Sequence, residues 1–184
     1  MKISKEKAKN QSDDELRVVP VLSDYSKALE SHVRARFLQK ISAIGVDPAS
    51  IPSDQFSSEC LPPIEVSDLL TYLVLETSYY TNQQFKAYKS LEAFNQMVSG
   101  FVTSVQGKII AGKHVVVAKV KHSQRMNDPL VNIWLIADTD GTILSAHCLG
   151  CKAGVSESCT HVASVLLYIE AVTRNSGKVG VHPS

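Results

Sequence analysis

Long apolar runs are missing from this 184-residue sequence, which nowhere approaches the roughly 18–20 consecutive apolar residues of a membrane-spanning helix. We therefore expect no membrane partner. The polar residues 1–17 lack the apolar segment of a secretory signal, so an intracellular location, in the nucleus or the cytoplasm, is expected. A net charge of +1 provides no general attraction to nucleic acid, and any such binding must depend on a local patch.

Cysteine is scarce, and its four positions are unevenly spread. Three cysteines lie within the twelve positions 148–159, whereas Cys60 stands alone. Because intracellular thiols stay reduced, the cluster favours metal binding over disulfides. Cys60 has no nearby partner in the sequence and is expected to be an ordinary thiol.

The spacing of apolar residues divides the chain into four segments. Residues 1–22 predict a flexible tail, and residues 176–184 predict a flexible C-terminus. Residues 23–105 show helical periodicity, whereas residues 106–175 predict strands followed by a helix. The predicted class is α+β: an N-terminal helical region, a small antiparallel β-meander and a zinc-anchored C-terminal helix.

Three helices are predicted in the first half of the chain. One runs from the cap residue Ser23 to Gly45, whose left-handed conformation ends it. Two more cover residues 65–77 and 91–102, and their apolar residues predict buried stripes: Val66, Leu69, Leu70, Leu73 and Val74 in the first, and Phe94, Met97, Val98, Phe101 and Val102 in the second. Residues 46–63, with four prolines, predict a linker or surface loop.

Strand-like composition dominates the second half. Residues 108–123 predict strand structure broken at Gly112, and residues 131–137 and 142–146 predict two further strands. Residues 138–141 between them have the composition of a turn. The cysteines follow the last strand, and a helix with one apolar face follows the cysteines.

The clustered cysteines and one histidine form the pattern Cys148-x2-Cys151-x7-Cys159-x-His161. Three thiolates and an imidazole are a standard tetrahedral ligand set for Zn²⁺, which we expect as the cofactor. Cys159 is predicted just before the helix and His161 in its first turn, where free N–H groups favour thiolate over thiol. Four protein ligands close the coordination sphere and indicate a structural site. The metal is expected to stabilise the C-terminal unit and leave the N-terminal helices partly independent.

Other residues shape the predicted zinc site. Gly150 lets the chain fold back so that the first two thiolates converge, and Gly154 helps the loop return. Lys152 is placed to offset the net negative charge of three thiolates on Zn²⁺. His147 stays open as an alternative to Cys148, although Cys148 follows the strand in the expected phase.

The segment SAHCLGCKAGVSESCTHVASVLLYIEA, residues 145–171, resembles a SWIM-type zinc finger. The family pattern is C-x-C, a variable spacer and C-x-H before a helix. The AG after the second cysteine, the C-x-H ending and the apolar helix all match. The first pair here is spaced C-x2-C, and this departure implies a different geometry at the first turn.

A wider resemblance covers residues 35–175 and includes YLVLETSYYTNQQFKAYKSLEAFNQMVSGFV and KHSQRM. These segments are similar to the N-terminal part of animal SWIM proteins, in which the finger often precedes a nuclease domain of the viral-recombinase (YqaJ) type. Such nucleases use an Asp and a Glu-x-Lys to hold Mg²⁺, and Glu-x-Lys occurs nowhere in this sequence. We therefore expect that the chain is not an enzyme.

A local basic patch favours DNA or RNA as the partner. Its residues follow one predicted strand and the turn after it: Lys113, Lys119, Lys121, His122 and Arg125. Residues 119 and 121 point to the same side of a strand, which predicts a positive ridge. The opposing interpretation is a solvated strand edge guarded by lysines.

The predicted function is a non-catalytic zinc-binding module that binds nucleic acid, alone or as an accessory to a nuclease domain. Tyr79, Tyr80, Phe85 and Tyr88 fit either stacking on bases or packing at the edge of a core. The alternative function is a protein–protein interaction module with a protein partner. Some ubiquitin-ligase substrate receptors use SWIM fingers in that way.

Overall fold

The computed structural model describes residues 19–76, 83–122, 127–151 and 157–177. It combines helices with a four-stranded antiparallel sheet, which confirms the predicted α+β class. The helices are α1 (Asp24–Lys27), α2 (Ser31–Ile41), α3 (Val66–Leu70), α4 (Gln83–Val98) and α5 (Thr160–Gly177). Two 3₁₀ turns, Pro48–Ser50 and Ser53–Gln55, precede α3, which continues into a π-helical turn over Thr71–Glu76. The strands are β1 (Val102–Ile110), β2 (Lys113–Val120), β3 (Val131–Ala137) and β4 (Ile143–Cys148).

The sheet is a meander in which each strand pairs with the next, in the order β1-β2-β3-β4. Gly112 has a φ of 73° in the tight turn between β1 and β2, where the sequence predicted a break. Gly141 closes the turn between β3 and β4 by donating its N–H to the carbonyl of Asp138 at 3.0 Å. Its φ is 99°, and a Cβ there would lie 2.4 Å from the carbonyl oxygen of Pro63. Glycine is therefore required at this position.

Both faces of the sheet are apolar, and each is covered by helices. Alternate strand residues point to opposite sides. On one side α5 packs against residues that include Val116, Leu135 and Ala146. On the other side Phe37 of α2 meets Trp134 of β3 edge to face, with ring centroids 5.5 Å apart. The N-terminal helices thus pack on the face of the sheet opposite α5. Their partial independence of the C-terminal unit stays a prediction.

The predicted single helix from residue 23 to residue 45 is two helices, α1 and α2. Ser23 caps α1 as predicted, since its hydroxyl accepts the backbone N–H of Ser26 at 3.3 Å. Gly45 has a φ of 70°, in agreement with the predicted left-handed end. The break between the helices is stabilised by Arg34, which donates to carbonyls that the short α1 leaves unpaired, those of Lys27 and Leu29.

Residues 46–63 have the predicted irregular backbone, but they pack against the sheet and are no linker. Asp47 and Phe56 are buried, and Ser57 forms a two-way backbone bridge with Gly107 at 2.8 Å. A Cβ on Gly107 would lie 1.8 Å from the carbonyl oxygen of Cys60. A side chain at position 107 would collide with the backbone of Cys60, which explains the glycine inside β1. The predicted boundary between the helical region and the zinc-finger unit, between residues 105 and 106, falls within β1.

The buried faces of α3 and α4 differ from the predicted stripes. In α3 Leu69 is buried and Leu70 is 57% exposed, while Tyr72 in the following turn is buried. In α4 the buried residues include Ala93 and Gln96, and the exposed ones include Phe94. The spacing of apolar residues matched a helix but did not reveal which side met α5. Within the described ranges, no helix is both long enough and apolar enough to cross a membrane.

Candidate metal centre

The four predicted ligands meet at the junction between β4 and α5. Cys148 is the last residue of β4, and Cys151 follows after a short turn. Cys159 directly precedes α5, and His161 is the second residue of that helix. The sequence placed Cys159 before the helix and His161 in its first turn, and the structure has them there.

The ligand atoms of these residues converge on one point. The Nδ1 atom of His161 lies 3.7 Å from the Sγ of Cys148, 3.6 Å from that of Cys151 and 4.0 Å from that of Cys159. All four ligand atoms lie within 4.8 Å of one another. Zn–S bonds of about 2.3 Å and Zn–N bonds of about 2.0 Å give ligand–ligand separations of about 3.5–3.8 Å in a tetrahedron. The cluster is therefore close enough to bind a metal ion.

The charges of the cluster favour a cation at its centre. Hydrogen bonding with the thiols of Cys148 and Cys151 raises the pKa of His161 to about 9. Hydrogen bonding with Cys148 lowers the pKa of the Cys151 thiol. Hydrogen bonding with Cys148 and Cys151, together with burial, raises the pKa of the Cys159 thiol. Taken together, these shifts favour a protonated His161 and a neutral thiol at Cys159. A divalent cation would displace that proton and compensate two of the three thiolate charges, which leaves one net negative charge on the site.

The backbone at the start of α5 also stabilises negative charge on sulfur. The N–H of Val162 donates to the Sγ of Cys159 at 3.5 Å, and this group is one of the free donors of the first helical turn. The positive end of the helix dipole adds to the same effect. This donor favours the thiolate of Cys159, as expected, but Cys148, Cys151 and burial outweigh it and raise the pKa of Cys159 overall.

Close packing of Gly150 determines the turn between the first two cysteines. A Cβ on Gly150 would lie 2.8 Å from Cγ1 of Val131, so a larger residue would require Val131 to shift. The N–H of Leu149 donates to the carbonyl of Asn132 at 2.9 Å, so the pairing with β3 extends just past Cys148. The small size of Gly150 and the hydrogen bond of Leu149 together let the chain reverse against β3. Close packing against Val131 thus explains why glycine is found at position 150.

His147, the alternative ligand, lies on the opposite face of β4 from the cluster. Its Nε2 is 2.8 Å from the hydroxyl of Tyr25, and its Nδ1 is 2.6 Å from Nζ of Lys40. Because the ammonium can only donate, Nδ1 accepts and Nε2 carries the proton. The ring also stacks on Trp134. Burial and the neighbouring Lys40 lower the pKa of His147 to about 3.

A second set of residues, which the sequence did not suggest, connects the site to the N-terminal helices. Glu157 accepts hydrogen bonds from Arg36 at 2.9 Å and, through its carbonyl, from the Tyr72 hydroxyl at 2.6 Å. Nζ of Lys40 lies 3.7 Å from the Glu157 carboxylate. The signal that could have revealed Lys40 is its position three residues after Phe37, on the apolar face of α2.

The structure separates the candidate nucleic-acid residues. Lys119 and Lys121 are exposed at the end of β2, on the side expected from strand alternation. Lys113 begins the same strand and forms an ion pair with Asp138 at 2.5 Å, so its charge is locally balanced. The ring of His122 lies 5.9 Å from that of His161, beside the metal cluster.

Several predicted participants lie outside the described residues. They are Arg125 of the basic patch, Lys152 and Gly154 of the metal loop, and Tyr79 and Tyr80 of the aromatic group. Their predicted roles stay predictions. The side chains of Phe85 and Tyr88 are likewise outside the description.

Comparisons with protein-family models, with curated proteins and with solved structures found no match for this chain. The resemblance to SWIM-type fingers thus continues to rest on the spacing of the four ligands and on the helix after them. The geometry of the cluster supplies the independent argument for metal binding.

Proposed function

We propose that Cys148, Cys151, Cys159 and His161 bind one structural Zn²⁺ and that the chain is a non-catalytic, SWIM-type zinc-binding module. The observation that carries this proposal is the convergence of three sulfur atoms and one imidazole nitrogen within 4.8 Å. Soft thiolates with one imidazole suit zinc better than the harder divalent cations. Four protein ligands fill a tetrahedral sphere, and a filled sphere fits a structural role.

The proposed zinc would fasten the end of β4 to the start of α5. Cys148 and Cys151 come from the strand side of the junction, and Cys159 and His161 from the helix side. Ligands contributed by two elements make metal binding part of the folding free energy. The module would therefore depend on the ion for the docking of α5 onto the sheet.

Zinc content is the direct test of this part of the proposal. Protein purified without added metal is expected to contain one zinc per chain by elemental analysis. The double variant Cys159→Ser, His161→Ala should lose it. Cys60 lies outside the cluster, so Cys60→Ser is the matched control and should retain the metal. Full retention of zinc in the double variant would contradict the assignment.

We further propose nucleic acid as the partner, with the chain acting alone or beside a nuclease domain. The support is local: Lys119 and Lys121 are exposed, lie near one another at the end of β2, and form no ion pair within the described residues. Each could contact a phosphate, and Arg125 follows four residues after Lys121. Such contacts give affinity that falls as salt rises.

A salt titration tests the nucleic-acid proposal. Binding to duplex DNA is expected to weaken with a slope of about −0.9 for each phosphate contact in a plot of log K against log salt concentration. The double variant Lys119→Gln, Lys121→Gln should reduce that slope by about 2. Lys108→Gln, Lys113→Gln removes the same charge from partnered lysines and should leave the slope unchanged.

The alternative is a protein–protein interaction module, and one observation favours it. Leu91, Phe94 and Val98 are 61%, 49% and 58% exposed and lie on one side of α4. An apolar helix face of this kind is typical of surfaces that bind another protein. If the protein shows no salt-dependent binding to single- or double-stranded DNA or RNA, the protein–protein interpretation replaces the nucleic-acid proposal. A partner lost with Phe94→Ser, Val98→Ser would then support it.

A further inference from the structure

A cavity of about 540 Å³ lies on the face of the sheet opposite the metal cluster. Residues of β1, β2 and β3 form its floor, and its walls come from α1 and from residues 48–56. This volume is within the range of small-molecule sites, which run from about 300 to 1,000 Å³. The segment predicted to be a linker or surface loop thus forms a wall of the cavity.

The floor consists of two rows of cross-strand neighbours. The first, which we call the polar row, is Ser104, Lys119 and Asn132, paired in register across the three strands. The second, the inner row, is Gln106, Val117 and Trp134. All six residues line the cavity. The rows are two residues apart along each strand, a separation of about 6–7 Å on the same face, so one small ligand can reach both rows.

The inner row contains a buried donor without a partner. Nε1 of Trp134 is buried and has no hydrogen-bond partner among the described residues, although the ring itself is 1% exposed and tightly packed. A buried donor left unpaired is costly, and such groups usually have a partner. Trp134 lines the cavity, so its indole ring lies close to any ligand bound there.

We infer that this cavity binds a single unpaired nucleotide, with the base inside and the phosphate at Lys119. The inference rests on the proposed nucleic-acid function and specifies how a base would be recognised. The shared chemistry is a planar heterocycle linked to a phosphate, supplied by a free mononucleotide or by a single-stranded segment of nucleic acid.

The chemistry of the walls and floor matches the parts of a nucleotide. Phe56, Tyr25 and Ile51 line the cavity and supply aromatic and aliphatic surface against which a base can pack. The side-chain amides of Gln106 and Asn132 each offer a donor and an acceptor, as the polar edge of a base requires.

Two charged side chains at the cavity indicate where the phosphate and the sugar or base of a nucleotide would lie. The ammonium of Lys119 is exposed at the polar row and would meet a phosphate. Asp24 also lines the cavity, and its carboxylate can accept from a ribose hydroxyl or an exocyclic amine. Lys121 lies beyond the cavity lining and would contact the next phosphate of a strand only.

Trp134 is the single tryptophan of the chain, so its fluorescence reports binding in the cavity directly. The probes are the mononucleotides AMP, GMP, CMP and UMP, a single-stranded oligonucleotide, and a duplex of the same sequence. Mononucleotides and the single strand are expected to change the Trp134 emission. The duplex offers no unpaired base and should bind the lysines without that change.

Variants separate base recognition from phosphate contact. Asn132→Leu removes a base contact from an exposed position and should weaken mononucleotide binding about tenfold. Asn95→Leu makes the same change on exposed α4, far from the cavity lining, and should have no effect. Lys121→Gln should weaken the oligonucleotide but not the mononucleotides. Zinc content and circular dichroism confirm that each variant is folded.

The outcomes distinguish the cavity from the proposed function. Salt-dependent binding of nucleic acid without a change in Trp134 emission, and without an effect of Asn132→Leu, would overturn the cavity assignment and leave the function standing. Mononucleotide binding without salt-dependent binding of any oligonucleotide would support the cavity and contradict the function. Binding of no probe at all would overturn both.

Discussion

His147 and Cys148 are consecutive residues of β4 that serve opposite faces of the sheet. Cys148 points to α5 and joins the metal cluster, whereas the His147 ring lies between Tyr25, Lys40 and Trp134 on the side of α2. A displacement of this strand end would disturb both sides at once. The metal centre and the N-terminal helices are therefore mechanically connected.

Removal of the metal is expected to unfold both regions in one transition. Structural zinc contributes several kcal/mol or more to folding in small metal-binding units, and each kcal/mol corresponds to about 2–4 °C for a chain of this size. We expect a chelator to lower the melting temperature by about 10 °C or more. Circular dichroism at 222 nm, which follows the helices, and Trp134 fluorescence, which follows the α2 side, should report the same midpoint.

Two observations would contradict this coupling. Separate midpoints for the two signals would indicate that the N-terminal helices unfold independently. An unchanged melting curve with the metal verifiably removed would deny any contribution of the ion. Restoration of the original curve by added Zn²⁺ is the control for irreversible oxidation of the three thiols.

The metal cluster was predictable because its signal is local. The ligand spacing places the first two thiols on either side of a short turn, and a turn depends on neighbours within a few residues. The contact between Gly150 and Val131 of β3 is not local and was not predictable from that spacing. The predicted positions of Cys159 and His161 relative to α5 likewise follow from helix geometry alone. The strands were predictable for the same reason, since Gly112 and Gly141 mark turns that need positive φ angles.

The packing of distant segments was not predictable from the sequence. The carbonyl of Cys60 lies over Gly107, and nothing in the alternation of β1 residues indicates that contact. Asp47 appeared as one acidic residue in a loop, although its carboxylate is buried by serines more than twenty positions away. The predicted stripe of α4 was only partly right, since Phe94 and Val98 are exposed and Met97 is half-buried. The spacing of apolar residues does not show which neighbouring element covers them.

Gly150→Ala is expected to destabilise the protein and weaken its hold on the metal. The new methyl group would lie 2.8 Å from Cγ1 of Val131, and overpacking of this kind costs about 1–3 kcal/mol. Val131→Ala in the same chain makes room and should restore the metal affinity, measured by competition with a chromogenic chelator. Equal affinity of Gly150→Ala and the unmodified protein would show that the turn tolerates a side chain.

Asp47→Ala is expected to lower the free energy of unfolding by about 2–4 kcal/mol. The buried carboxylate accepts the hydroxyls of Ser23 at 2.7 Å and Ser26 at 2.6 Å, together with the backbone N–H groups of Ser23 and Ala49 at 3.0 Å each. Its removal leaves these donors, including the hydroxyl of the buried Ser26, without their acceptor. Asp54→Ala, at an exposed position in the same segment, is the control and should change stability by less than about 0.5 kcal/mol. Urea denaturation measures both, and similar losses in the two variants would contradict the role of Asp47.

Lys40 should make the protein more stable as the pH rises from about 8 to 10.5. Burial lowers the pKa of this lysine from 10.5 to about 8, with partial compensation from Glu157, and its side chain is 2% exposed. Between those pH values the unfolded chain binds more protons than the folded one, so deprotonation favours the fold by up to about 3 kcal/mol. Below pH 8 both states are protonated, and this contribution no longer changes with pH.

The comparison with Lys40→Met isolates that contribution, because the thiols and other titrating groups are common to both proteins. The free energy of unfolding of the unmodified protein should increase relative to the Met variant across this pH interval. Lys27→Met, on the exposed surface of α1, should show no such difference from the unmodified protein. A constant difference between the unmodified protein and Lys40→Met from pH 7.5 to 10.5 would mean that Lys40 titrates alike in both states. Its ammonium would then be stabilised fully by the carbonyl of Ala146, the ring of Trp134 and the carboxylate of Glu157.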